Sequence, residues 1–151
     1  DLRLLNFKPL AKTDGRYGKL IVGGGLTSGR RHFHYTDVGT YVSYRYKKFK
    51  ADFEVAQGNG SNGRVGPTPI HSRGYYTTLY YDLTKKLQLV ARFDEFTPNT
   101  HDSAHKTREY TAGINYFIKG QALKFMLNYV FREDNATGNS HRIIIGTQVV
   151  L

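Results

Sequence analysis

The sequence predicts an all-β chain, an antiparallel transmembrane β-barrel wall of about nine strands, each near the roughly 9–11 residues that a tilted barrel strand needs. Three observations predict it. Apolar and polar residues alternate with a period of two along most of the chain, and no stretch keeps a helical period. Tight turns alternate with long polar loops. Tyr and Phe gather near the ends of the alternating segments, nearly all on the apolar face.

Taken in order, Leu2 to Leu10 is expected as a weaker strand because it contains Pro9, and Lys19 to Leu26 as the next. Val38 to Tyr46 sets Val38, Thr40, Val42, Tyr44 and Tyr46 against Gly39, Tyr41, Ser43 and Arg45. Phe49 to Ala56 opposes Phe49, Ala51, Phe53 and Val55 to Lys50, Asp52 and Glu54. Gly74 to Asp82 puts Tyr75, Thr77, Leu79 and Tyr81 on one side, and Leu87 to Asp94 sets Leu87, Leu89, Ala91 and Phe93 against Gln88, Val90, Arg92 and Asp94. Glu109 to Ile118 and Leu123 to Arg132 alternate in the same way. In the final segment, Arg142 to Leu151, the face of Ile143, Ile145, Thr147, Val149 and Leu151 is apolar, with Ile144 and Val150 breaking the pattern opposite.

Tight turns are expected at Lys47-Lys48, Thr84-Lys85-Lys86 and Lys119-Gly120-Gln121. Long polar loops are expected from Gln57 to Ser72, Thr97 to Thr107 and Glu133 to His141. Outer-membrane barrels segregate connections in this way, short turns periplasmic and long loops outside, and a soluble meander has no reason to. The final strand then runs from the loop end to the turn end, which puts the C-terminus in the periplasm. Tyr44, Tyr46, Phe49, Tyr81 and Tyr116 lie near the turns, and Tyr75, Phe93, Tyr110, Tyr129 and Phe131 near the loops. Two belts of amphipathic rings are expected where a wall meets headgroups on both sides. The plainer alternative is that Tyr and Phe are good strand formers.

Composition is compatible with this wall. The 151 residues form one domain, 1–151, or the C-terminal portion of one. Hydrophobic residues make up 39% and mean hydropathy is −0.52, which excludes a helical span but not an alternating strand that is half polar. Aromatic content is 14%, from 12 Tyr and 9 Phe with no Trp, and the absence of Cys removes disulfides and thiolate chemistry. Lys and Arg number 22 against 12 Asp and Glu, a balance of +10 that calls for an anionic partner: nucleic acid, lipopolysaccharide phosphate, or anions in a pore. The chain opens on Asp1-Leu2-Arg3 without an apolar leader, so a leader is cleaved or the start is internal. Bacterial single-chain barrels use even strand numbers, and an odd count with the first strand starting outside points to earlier strands that are missing here.

A resemblance enters through an ordered set of segments: Gly39 to Tyr46 (GTYVSYRY), Phe49 to Glu54 (FKADFE), Ser72 to Tyr76 (SRGYY), Lys86 to Asp94 (KLQLVARFD), Tyr110 to Phe117 (YTAGINYF) and Leu127 to Tyr129 (LNY). With these, Gly18 to Leu151 resembles the C-terminal half of the phosphate-selective porin O and P family. The resemblance implies a 16-stranded homotrimeric barrel in a bacterial outer membrane, without enzymatic activity or cofactor, that lets small anions such as phosphate diffuse passively. The sequence departs from that family in ending on Leu151 rather than an aromatic, and in lacking the first half.

In a pore wall the polar face of each strand looks into the lumen. The pore-lining cations are then Lys19, Arg45, Lys50, Arg92, Lys124, Arg132 and Arg142, facing Asp52, Glu54, Asp94 and Glu109. Rings of Lys and Arg favour anions in a narrow channel; cross-strand pairs that brace the wall are the alternative use of the same residues. The membrane belt comprises Tyr46, Tyr75, Tyr81, Phe93, Tyr110, Tyr116, Tyr129 and Phe131. Arg30-Arg31-His32-Phe33-His34 is a basic loop cluster that could bind lipopolysaccharide phosphates, draw anions to the mouth, or be only solvated. His101 and His105 bracket Asp102 without a second ligand-bearing element, so no metal is expected. Gly23-Gly24-Gly25 is followed by neither Lys-Ser/Thr nor a helix, and reads as bending or close packing. Asn135-Ala-Thr137 reads as loop composition, and no catalytic set is discernible. Competing readings are a structural barrel component of a larger outer-membrane complex with an occluded lumen, and a soluble basic β-barrel binding module. Nucleic acid is not the expected partner.

Overall fold

A computed structural model of the chain describes residues 3–14, 18–30, 33–65, 67–102, 105–120 and 122–150, with backbone alone for residues 3–14 and for Arg64. Among them are nine strands: β1 (Arg3–Asp14), β2 (Gly18–Arg30), β3 (His34–Tyr46), β4 (Phe49–Val65), β5 (Thr68–Asp82), β6 (Leu87–Thr97), β7 (Thr107–Phe117), β8 (Leu123–Asp134) and β9 (Ser140–Val149). They form one antiparallel sheet in chain order, each strand hydrogen-bonded to the next. Every segment expected to be a strand is one. The sheet is open, with β1 and β9 as its edges.

The tight turns have local causes. Lys47 takes φ 52°, the left-handed conformation that two-residue hairpins require. Thr84 Oγ1 accepts from the amides of Lys86 (3.1 Å) and Leu87 (3.0 Å), and Gly120 turns with φ 57°. Around Pro9, which has no amide to donate, the β1–β2 register shifts between Phe7 and Leu10.

Three expectations need correction. Gln57 to Ser72 is not a loop but a projecting ladder, with Asn59 opposite His71 and Val65 opposite Thr68. Gly60 (φ 78°) and Gly63 (φ 98°) absorb the register shift between Asn59 and Arg64, so the polar residues beyond it still pair their backbone groups. Glu133 and His141 likewise lie in β8 and β9, which narrows that loop to residues 135–139. Arg30 and His34 are strand-end residues paired with each other, not loop residues. Arg31 and His32 lie outside the described residues, as do Leu2, Gln121 and Leu151. Extra length at the loop end therefore resides in the β4–β5 ladder and in residues 98–106, while the β2–β3 connection is short.

Burial is inverted relative to a water-soluble domain. Ile145 is 78% exposed and Leu127 49%, with Phe53, Leu79, Ile114 and Phe125 also exposed on the same face. Thr78 on the opposite face is only 2% exposed, and Asn115 is buried with it. Among the described residues the only buried apolar side chains are Phe117 and Val130. A sheet that presents an apolar face outward and gathers its polar and charged residues on the other is matched to lipid, not water. On that outward face no charge occurs from Tyr81 to Tyr75, Leu87 to Phe93, Tyr116 to Tyr110, or Phe125 to Phe131. From Leu123 to Phe131 the band spans about 26 Å along the strand, or about 20 Å in height at a tilt near 40°. Gly23 sits under the Tyr41 ring, which an added Cβ would overlap, so close packing is the use this glycine serves.

Candidate functional site

Antiparallel register fixes which side chains share a face, because directly opposed residues point the same way. Lys19 opposes Arg45, and Arg45 opposes Lys50. One row runs Ser43, Asp52, Thr78, Arg92, Thr111, Val130 and Arg142. The next contains Glu54, Tyr76, Asp94, Glu109 and Arg132. Lys124 opposes Phe117 and Gln148. All seven cations singled out from the sequence thus lie on the face opposite the apolar band.

Five of the seven are paired. Lys50 Nζ lies 2.7 Å from Asp52, which also accepts from the Ser43 hydroxyl at 2.6 Å. Arg92 Nε donates to Asp94 at 2.8 Å, and its guanidinium lies 4.1 Å from the Tyr76 ring centroid. Arg132 donates to Asp134 at 2.9 Å, and Arg142 to Glu109 at 2.6 Å. Arg45 reaches Asp82 at 3.3 Å. The Arg45 and Arg142 pairs cross an intervening strand, a gap of about 9.5 Å that long side chains close when they project from one face. Lys19 and Lys124 have no ion pair among the described residues. Bracing of the wall is therefore real for most of the set, and the paired cations are partly neutralised.

At the turn end the same face forms a depression of about 770 Å³. Arg45, Lys48, Lys50, Lys85 and Lys124 line it against a single carboxylate, Asp82. Asp82 is held by Gln88 (2.7 Å), which accepts from the buried Asn115 (2.9 Å). Lys50 also lies over the Tyr80 ring, 4.9 Å from its centroid. The sequence reading missed Lys48 and Lys85, which were assigned to turns and not to a lining. It also missed Tyr76, Tyr80 and Asp82, although alternation along β5 places all three on the charged face.

The outward aromatics separate into the two expected groups. Near the loops Tyr75, Phe93, Tyr110, Phe131 and His141 form a continuous ladder, with successive ring centroids at 5.8, 5.1, 6.1 and 5.0 Å. Tyr129 joins it through a 2.6 Å hydrogen bond with His141 Nδ1. At the other end Tyr46 and Tyr81 both oppose Phe49, and Tyr116 opposes Phe125. Of the histidines read as a weak metal pattern, His101 meets His71 edge-on at 5.8 Å and His105 lies 4.0 Å from Asp102. No three metal-binding side chains converge among the described residues.

Compared with known proteins, residues 6–150 match the family described as phosphate-selective porin O and P, nearly the whole chain. Neither the curated proteins nor the solved structures include a match to this chain.

Proposed function

The chain belongs to the phosphate-selective porin O and P family of outer-membrane, channel-forming β-barrel proteins, and we propose that its charged face lines a water-filled pore for passive diffusion of small anions, phosphate among them. The observation that carries this reading is the turn-end depression, where five cations face one carboxylate. In a narrow opening bounded by low-dielectric walls, such an excess concentrates anions and repels cations. Above it the lining is mixed. Arg92, Arg132 and Arg142 are each held by a carboxylate, so an anion there meets a fixed array of donors and not a deep trap. Weak successive contacts suit conduction better than one tight site.

Lipid on the apolar face leaves no edge unpaired, because each open backbone group in hydrocarbon costs several kcal/mol. We therefore read β1–β9 as part of a larger closed wall, in a homotrimer in the outer membrane. The turns face the periplasm, as does the end of β9, with lipopolysaccharide at the loop end. Segregation of the projecting β4–β5 ladder and residues 98–106 to one end supports that orientation. Exposed Leu, Ile and Phe on the outward face argue against a soluble binding module. Single-channel recording of the native protein in planar bilayers tests the reading. Discrete open steps that phosphate reduces are expected, and a protein that inserts without conductance would favour an occluded structural wall instead.

A further inference from the structure

The outward face carries two depressions aligned along β5. The lower, of about 660 Å³, is apolar and includes Leu79, Leu89, Ala91, Ala112, Ile114 and Leu127. The upper, of about 550 Å³, borders the loop side of the aromatic ladder and is lined by Val55, Arg73, Tyr75, Glu95, Thr100 and Lys106 among others. Strand β5 contributes to both, with Leu79 below and Tyr75 and Arg73 above. Between them comes Thr77, the one small residue in the row Phe53–Thr77–Phe93–Tyr110–Phe131. Thr77 leaves that row without a ring between Phe53 and Phe93, and Ala91 and Ala112 in the adjoining row line the lower depression.

On the outward face of β5–β8, charge enters only past this belt. Lys106 Nζ lies 2.7 Å from Glu95, Arg108 Nε lies 2.9 Å from the same carboxylate, and Arg108 is 4.0 Å from Glu133. Arg73 stands 6.0 Å from the Tyr75 ring centroid with no carboxylate partner among the described residues. Glu95 thus holds Lys106 and Arg108 in place, one carboxylate shared by two cations, and Arg73 adds a further positive charge beside them. Cations just above a girdle, with an apolar trough below it on the same face, are complementary to an amphiphile with an anionic head and acyl tails.

We propose that this outward surface is a binding site for one phosphorylated lipid of the loop-side leaflet, of the lipid A class. Its phosphate sits against Arg73 and Lys106, and an acyl chain runs past Thr77 into the trough over Ala91 and Ala112. This inference rests on the outward face being the lipid face, and it specifies where the expected lipopolysaccharide contact lies. It does not require the lumen to conduct anions.

Native mass spectrometry of the whole protein released from phosphatidylcholine nanodiscs tests it, the discs carrying lipid A, dephosphorylated lipid A, or no added lipid with inorganic phosphate. Retention of lipid A alone is expected. R73Q/K106Q should weaken it about thirtyfold, R73K/K106R should restore it, and Thr77→Trp should weaken it by blocking the trough. Equal retention of the dephosphorylated lipid, retention of inorganic phosphate by the same residues, or unchanged retention in R73Q/K106Q would overturn the site. Anion current in R73Q/K106Q should match the parent. Loss of lipid selectivity with anion current intact sinks this site alone; a silent channel that keeps the lipid sinks the pore reading alone.

Discussion

Arg92 lies over the ring of Tyr76, 4.1 Å from its centroid, while its Nε donates to Asp94 at 2.8 Å. Tyr76 in turn donates its hydroxyl to Glu54 at 2.8 Å. Across β4, β5 and β6 these side chains hold one guanidinium flat against the wall, with its carboxylate partner on its own strand. An ion passing along this face would meet a cation already in position.

Arg92→Gln is expected to shift permeability toward cations, because Glu54 and Asp94 would then face the lumen unopposed. It should also lower stability by about 1 kcal/mol, the sum of a partly exposed ion pair and a ring contact. Tyr76→Phe keeps the ring and should leave selectivity nearly unchanged. Reversal potentials and urea titrations in vesicles of both variants check the pair.

At the turn end, Lys50→Gln and Lys124→Gln each remove one charge from the depression. At about 6 Å in a water-like dielectric, one unit charge is worth about 0.7 kcal/mol to an anion. Each substitution should therefore lower anion conductance about threefold at low salt, and less at high salt as screening takes over. Conductance measured across a series of salt concentrations reports both.

Facing can be tested with adjacent residues. Leu127 belongs to the outward band and Asn128 to the charged face. Leu127→Arg should destabilise the protein in bilayers by about 2–4 kcal/mol, whereas Asn128→Arg should cost about 1 kcal/mol or less. Equal costs would mean that the faces are misassigned.

The broad architecture was legible in the sequence because period-two alternation states both strand and face at once. Leu123 to Arg132 keeps one face wholly apolar, with only Met126 and Val130 apolar on the other, and β8 begins at the expected Leu123. Strand ends were less legible. Gly60, Ser61, Asn62 and Gly63 read as a loop by composition, yet ladder pairing resumes beyond them, since composition does not reveal where backbone groups find partners. That the seven cations share the face opposite the apolar band was recoverable from parity. Which of them pair was not, because Arg45 with Asp82 and Arg142 with Glu109 depend on strands folding beside each other.

Asp134 ends β8 above the membrane band and accepts from the amides of Ala136 (2.9 Å) and Thr137 (3.1 Å). These amide bonds, aided by Arg132, bring its carboxyl down to about 2. A depressed folded value means that its contribution to the loop is complete above the ordinary carboxylate value near 3.9 and is lost as pH falls through about 2. The carboxyl carbon shift of Asp134, followed by NMR titration, should show that low midpoint, and Asp134→Asn should remove it. A midpoint near 4 would mean that the amide contacts are not held.

The reversal potential of the native channel in a potassium chloride gradient tests the central claim most directly. An anion-concentrating lumen predicts the sign set by chloride, with the preference reduced by substituting Lys50 and Lys124. A sign set by potassium would contradict it.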